Sequence, residues 1–409
     1  MTVSPDTRTC GFGALYLHVP FCVRKCAYCD FASAATRRDD SLVGAYADSL
    51  AAMVRSAEEA GLLEGLATAY LGGGTPSLLG VERLAALVSA VPPVEELTFE
   101  ANPESFSGEM AKAAKAAGVT RVSLGVQSLD DGELAALGRV HDAERAVAAL
   151  REAAASGLRV SADIMAAVPH QTPKSLVVSI LGVVQAGASH VSVYPLIIEE
   201  GTAFGAAVDA GTMEEPSDDE EAAAMEAAEG VLDGLSFSRY EVASYALPGE
   251  RCRHNLNYWN GTPYLGLGMA AASMVDRGLY ERLCRAGFAL PPLADATARA
   301  RLTCTSGARA IAAAVGDLSR LAFDVEELTA RQAAAEDLML AARTADGIGP
   351  ELLWRAREVI GTGEVDDTLD TLVEEGLLVF GSGSFAPTER GWLMGNVVFG
   401  ALWDLASDD

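Results

Sequence analysis

From Leu15 onward the chain alternates short runs dense in Val, Ile, Leu and Tyr with longer stretches rich in Ala, Leu and Glu. The short runs, 15–21, 67–71, 97–100, 121–125, 160–165 and 190–196, are bounded by Gly, Pro or Asn and predict strands. Segments between them, such as 42–60 and 144–155, repeat apolar residues at helical spacing. Six strand–helix units in succession predict an α/β fold with a parallel sheet, open or closed, and helices outside it. In barrels of this type active sites lie at the C-terminal ends of strands. The unusual residues of this chain cluster there.

Beyond the sixth unit, Glu-Glu-Pro-Ser-Asp-Asp-Glu-Glu (214–221) predicts a solvated helix capped by Ser217, its acidic first turn favoured by the helix dipole. A strand-like run at 240–245 leads into Cys252–Tyr264. After about residue 290 the character changes: 296–314 and 329–343 read as Ala- and Arg-rich helices, followed by 351–359, 368–375 and a Gly376-Leu-Leu-Val-Phe turn into a short strand. Short helices before a small hairpin suggest a winged-helix-like module, expected to act as a lid or docking unit. The expected division is a barrel over 12–245, a connecting region over 246–290 and a smaller C-terminal domain over 291–400.

Charge narrows the partners. The 409 residues carry 30 Lys plus Arg against 57 Asp plus Glu, a net charge of −27. Such a field repels phosphate backbones and anionic membrane surfaces, so no nucleic acid is expected as a partner. No integral membrane segment is expected: 176–198 reads as a helix followed by a strand. The terminus around Asp6, Arg8 and Cys10 has no apolar signal core, so a cytoplasmic location is expected. Seven cysteines without a secretory signal argue against a disulfide framework.

Three of those cysteines have a chemical pattern. Cys22, Cys26 and Cys29 form C-x3-C-x2-C directly after the first predicted strand. Three thiolates on one loop can share a metal centre and leave one coordination position open, whereas closed structural sites take four ligands. The spacing alone also admits zinc held with His18, or unligated buried thiols. After the second strand, Tyr70-Leu-Gly-Gly-Gly-Thr-Pro-Ser77 removes three side chains, so that a ligand can approach the main chain.

Together these motifs resemble the radical S-adenosylmethionine (SAM) superfamily. Within it the chain looks like the oxygen-independent coproporphyrinogen III oxidase family, HemW-type haem-chaperone branch, across about 15–399. The likeness also rests on Glu100-Ala-Asn-Pro-Glu104, Ser123-Leu-Gly-Val-Gln-Ser128, Leu137-Gly-Arg-Val-His141, Asp163, Tyr240-Glu-Val-Ala-Ser244 and His254-Asn-Leu-Asn-Tyr-Trp259. The resemblance implies a partial (β/α)6 barrel with a [4Fe–4S] cluster on Cys22, Cys26 and Cys29. It also implies SAM contacts at Tyr16, Gly73, Gly74, Thr75, Glu100, Gln127, Arg139 and Asp163. Carboxylates such as Glu100 and Asp163 suit an amine or ribose hydroxyl, and Arg139 suits a carboxylate.

Two features separate the branches. Oxidases of the family carry a further cysteine where Phe31 stands, and a longer N-terminal arm. The His254-Asn-x-x-Tyr-Trp259 motif matches the chaperone branch, in which His254 would be an axial haem ligand beside flat Tyr258 and Trp259. The resemblance thus implies a chaperone that delivers haem to an acceptor haemoprotein, with an electron donor as a further partner. The alternative is SAM-dependent oxidative decarboxylation of coproporphyrinogen III in porphyrin biosynthesis. One loop departs from the family pattern. Relatives usually read Gly-Pro-Gly-Ala-His-Ser where this chain has Gly268-Met-Ala-Ala-Ala-Ser273, and Ala167 stands where a glycine is usual.

Overall fold

The computed structural model describes residues 11–407; Asp6, Arg8 and Cys10 lie outside the described residues. Strands β1 (Ala14–Val19), β2 (Thr68–Gly73), β3 (Glu96–Ala101), β4 (Arg121–Gln127), β5 (Arg159–Ala166) and β6 (His190–Pro195) lie side by side in chain order, each pair parallel. Helices α1 (Ser41–Glu59), α2 (Val81–Val88), α3 (Gly108–Ala117), α4 (Ala143–Ala155) and α5 (Pro173–Gln185) connect them. Side chains such as Asp40, Ser107, Asp142 and Thr172 cap these helices by accepting backbone N–H groups, which fixes where each begins.

Alternation along the strands divides the sheet into two faces. Leu15, Leu17, Leu97, Phe99, Val122, Leu124, Val160, Ala162, Val191 and Val193 belong to the main apolar core with the helices. The residues between them, Tyr16, Thr98, Glu100, Arg121, Ser123, Ser161, Asp163, His190 and Ser192, line a cavity of about 640 Å³. The inside of this sheet is therefore a polar chamber, not a second core.

The barrel does not close. Beyond β6 the sheet continues into antiparallel β8 (Ser244–Ala246) and then β7 (Ser238–Arg239), after the acid-rich helix α6 (Asp218–Gly234), which Ser217 caps as expected. On the other side β1 pairs with parallel β9 (Tyr264–Leu267). Three antiparallel strands follow: β10 (Ala272–Asp276), β11 (Thr297–Cys304) and β12 (Phe323–Thr329). The result is one mixed 12-stranded sheet whose six central βα units form the expected partial (β/α)6 barrel.

Residues 296–314 correct the sequence reading. They are not one helix but β11 followed by a short helix, α8 (Ala308–Ala314). Ala300, Leu302 and Cys304 alternate inward, while Arg299 and Arg301 between them pair with Glu336. Alanine and arginine favour helices intrinsically, and burial on one face of the sheet overrides that preference.

A second apolar core, including Leu338, Val365, Leu369 and Leu402, is built by α9 (Ala330–Ala341), α10 (Pro350–Val359), α11 (Thr362–Glu374), the hairpin β13–β14 (Leu378–Gly381, Ser384–Pro387) and α12 (Gly395–Asp404). Helices before a hairpin are what the winged-helix-like expectation described. The first core extends to Leu321 and the second begins at Ala335. We therefore propose that the units divide near Thr329, the N-cap of α9, further along than residue 291. The units meet where the Val242 N–H donates to the Arg343 carbonyl (2.9 Å) and the Ala345 N–H to that of Tyr240 (3.0 Å).

Candidate functional site: a thiol loop over a polar barrel

Cys22, Cys26 and Cys29 follow β1 on an exposed loop and all line the barrel cavity. Cys22 and Cys26 are held from other parts of the fold, Cys29 from within the loop. Thr75 Oγ1 donates to Cys22 Sγ at 3.4 Å, and Asn102 Nδ2 donates to Thr75 Oγ1 at 3.0 Å. Arg139 Nη1 donates to Cys26 Sγ at 3.3 Å, while its Nη2 donates to Asn102 Oδ1 (2.7 Å) and the Gly125 carbonyl (2.6 Å). The Cys29 N–H donates to the Cys26 carbonyl, and burial raises the Cys29 thiol pKa. Asn102, the hinge of this network, had no role assigned from sequence; its place in Glu100-Ala-Asn-Pro-Glu104, at the end of β3, was the available signal.

Zinc held with His18 does not fit. The His18 ring bonds to the Ala32 carbonyl through Nε2 (3.0 Å), which leaves Nδ1 to accept from the Tyr16 hydroxyl (3.1 Å). Among the described residues no three His, Cys, Asp or Glu side chains converge on a position for one metal ion. Three thiols spread around the mouth of one cavity suit a larger body with several irons, so the donor set fits an iron–sulfur cluster with one open position.

The Gly-rich turn works by omission. Gly73 has φ +105°, and a Cβ there would lie 2.4 Å from the His18 ring; at Gly74 it would lie 2.8 Å from the Phe21 backbone nitrogen. The N–H groups of this turn are engaged within the protein: Gly73 donates to Glu100, Gly74 to Val19 and Thr75 to Phe21. What remains for a ligand is open space and acceptor oxygen. Acceptor oxygens suit the amine of SAM.

Deeper in, two half-buried carboxyl groups line the cavity without a cationic partner in direct contact. Glu100 accepts from the Tyr70 hydroxyl (2.9 Å) and Gly73 N–H (3.2 Å), and burial raises its pKa to about 7. Asp163 accepts from Ser123 Oγ at 3.2 Å, and burial raises it to about 6. A cationic ligand in the cavity would favour both ionised forms. Tyr16 lines the same cavity, stacked beside Tyr70 at 6.4 Å between ring centroids. Gln127 lines it too, at φ +66°, where a bulge interrupts the pairing of β4 with β5 and turns its side chain inward. All eight SAM positions implied by resemblance therefore line one cavity. Arg139 among them also ties the thiol loop to β3 and β4 through its guanidinium.

His254, the second residue of α7 (Arg253–Trp259), lines the chamber. Its Nδ1 is hydrogen-bonded to the Thr68 hydroxyl (2.9 Å) and its Nε2 to the Tyr258 hydroxyl (3.1 Å), and burial lowers its pKa to about 3. Both nitrogens are engaged, so the ring as placed offers nothing to an iron, contrary to the expected axial role. Cys252 beside it is buried, with its thiol raised to about 12 by burial and Glu96.

A parallel partial barrel with three thiols over a carboxylate-lined chamber defines the class of radical SAM proteins. The family model described as Radical SAM superfamily matches residues 16–180. The chain is 43% identical over 268 residues to the heme chaperone HemW of Mycobacterium tuberculosis, covering 63% of this chain and 68% of that protein. It is 29% identical over 399 residues to the heme chaperone HemW of Bacillus subtilis, covering 95% and 98%. Coproporphyrinogen III oxidase (HemN) from Escherichia coli has the same fold, with TM-score 0.74 at 18% identity over 97% of this chain and 91% of that one. This chain belongs to the HemW family of the radical SAM superfamily.

Proposed function

We propose that the protein is a cytoplasmic haem chaperone that binds haem and passes it to an acceptor haemoprotein. Among the described residues no helix is long and apolar enough to cross a membrane. Cys22, Cys26 and Cys29 would hold the [4Fe–4S] cluster, and Tyr16, Gly73, Gly74, Thr75, Glu100, Gln127 and Asp163 would surround SAM. When bound, the cluster supplies a redox-active iron with a free coordination position for SAM, and a redox protein would serve as electron donor. Arg139 and Thr75 hold the thiols in place, and the half-buried carboxylates balance the ligand's positive charge.

The observation that carries the reading is the mouth of the chamber. Phe31 and Ile197, 61% and 63% exposed, line it together with Arg24 and Lys25. A flat apolar ring bearing carboxylates matches that combination of apolar and basic groups, in a chain otherwise strongly acidic. Phe31 stands where the family's oxidases carry their additional cysteine.

The test is anaerobic incubation of cluster-loaded protein with SAM, reductant and coproporphyrinogen III, alongside haem transfer to an apo-haemoprotein. No decarboxylated porphyrin and measurable transfer are expected. Repeated turnover to decarboxylated product would overturn the reading.

A further inference from the structure

We propose that Arg121 and Thr98 form a carboxylate-binding subsite on the floor of the barrel. They are register partners on β3 and β4, so their side chains stand next to each other on the chamber face. Arg121 is 1% exposed. Its Nη2 alone serves the protein, donating to Glu96 Oε2 (3.4 Å) and to the carbonyls of Glu250 (2.9 Å) and Arg251 (3.2 Å). Nε and Nη1 have no partner, and neither has the Thr98 hydroxyl.

Three unpartnered polar groups on one floor are costly unless something fills the space. Nε and Nη1 lie on different edges of the guanidinium, so a carboxylate takes one charge-assisted hydrogen bond from one of them and a second from the Thr98 hydroxyl. The opposing charges are limited. Glu96 is shared with Arg159 (3.2 Å) and accepts the His254 N–H (3.0 Å), and Glu250 accepts from Arg159 (2.8 Å). The positive field of both arginines reaches His190, which together with burial keeps that ring neutral.

The ligand chemistry is a short aliphatic carboxylate. Its source is either a free acid or a propionate arm of a porphyrin entering the chamber; the second source rests on the haem reading, the subsite itself does not. The experiment titrates full-length, cluster-loaded protein with sodium propionate, with haem and with haem dimethyl ester. Saturable propionate binding is expected, weakened about tenfold in Thr98→Val, which removes a hydroxyl without a protein partner. Arg121→Gln should abolish it and Arg121→Lys should restore part.

Tighter binding of haem than of its ester, with the difference lost in Thr98→Val, would assign the porphyrin source. Propionate binding with equal affinity for haem and ester would assign a free acid. Absence of saturable propionate binding, or binding unchanged in both Thr98→Val and Arg121→Gln, would overturn the subsite and leave ordered water as its occupant. Haem binding could persist in that case, so the two readings fail separately.

Discussion

Arg139 donates to the Cys26 sulfur and, from its other terminal nitrogen, to the Gly125 carbonyl, so a residue after the fourth strand positions the middle thiol of a loop after the first. Replacing it with Met leaves the Gly125 carbonyl and the Asn102 amide oxygen without this donor. The expected cost is about 3 kcal/mol of folding stability, read from the urea midpoint, with a lowered iron content after reconstitution. Arg139→Lys should keep the charge and recover part of the stability but less of the iron.

Glu100 and Asp163 together give unliganded stability and SAM affinity pH profiles of opposite sign. Their folded-state values, about 7 and about 6, lie above the ordinary 4.5 and 3.8. The folded protein therefore holds protons that the unfolded chain has released, and unliganded stability falls as pH rises through that window, with the penalty complete above about pH 7. SAM, carrying a sulfonium, favours the ionised carboxylates. Its affinity for the cluster-loaded protein should rise about tenfold or more from pH 5.5 to 7.5 by calorimetry, and Glu100→Gln should flatten most of that rise.

His254→Ala tests the role of that ring. Thr68 and Tyr258 each lose a buried partner, so about 2 kcal/mol of stability should be lost. The absorption spectrum of bound haem should keep its position. A shifted spectrum with unchanged thermal stability would show that the ring ligates iron and supports nothing else.

Ala167 and Ala270 have φ of +57°. Left-handed backbone costs an alanine about 1 kcal/mol or more. Ala167→Gly and Ala270→Gly are each expected to raise stability by about 1 kcal/mol, less the added freedom of the unfolded chain, measured by equilibrium denaturation.

The central strands were legible because a run of Val, Ile and Leu closed by Gly, Pro or Asn reports burial directly, and the cysteine spacing reports a loop. The β11 strand was not, because Ala and Arg say little about which face is buried until Glu336 is brought beside them from another unit. The bulge at Gln127 has no local signature either, since it arises from pairing with β5. The eight positions implied for SAM could be gathered through motifs, and the structure brings them to one cavity. The axial role for His254 came from the motif's resemblance alone, and no local signal shows that Thr68, 186 residues earlier in the chain, is bonded to its ring.

The sheet that runs past β1 into β9 has a mechanical consequence. A closed barrel has its bore fixed by strand number and stagger. An arc with free ends can widen or narrow by sharing a slight change of twist among its strand pairs, breaking no ladder hydrogen bond. The polar chamber of this protein is therefore walled by an arc whose width closure does not dictate, like a split collet.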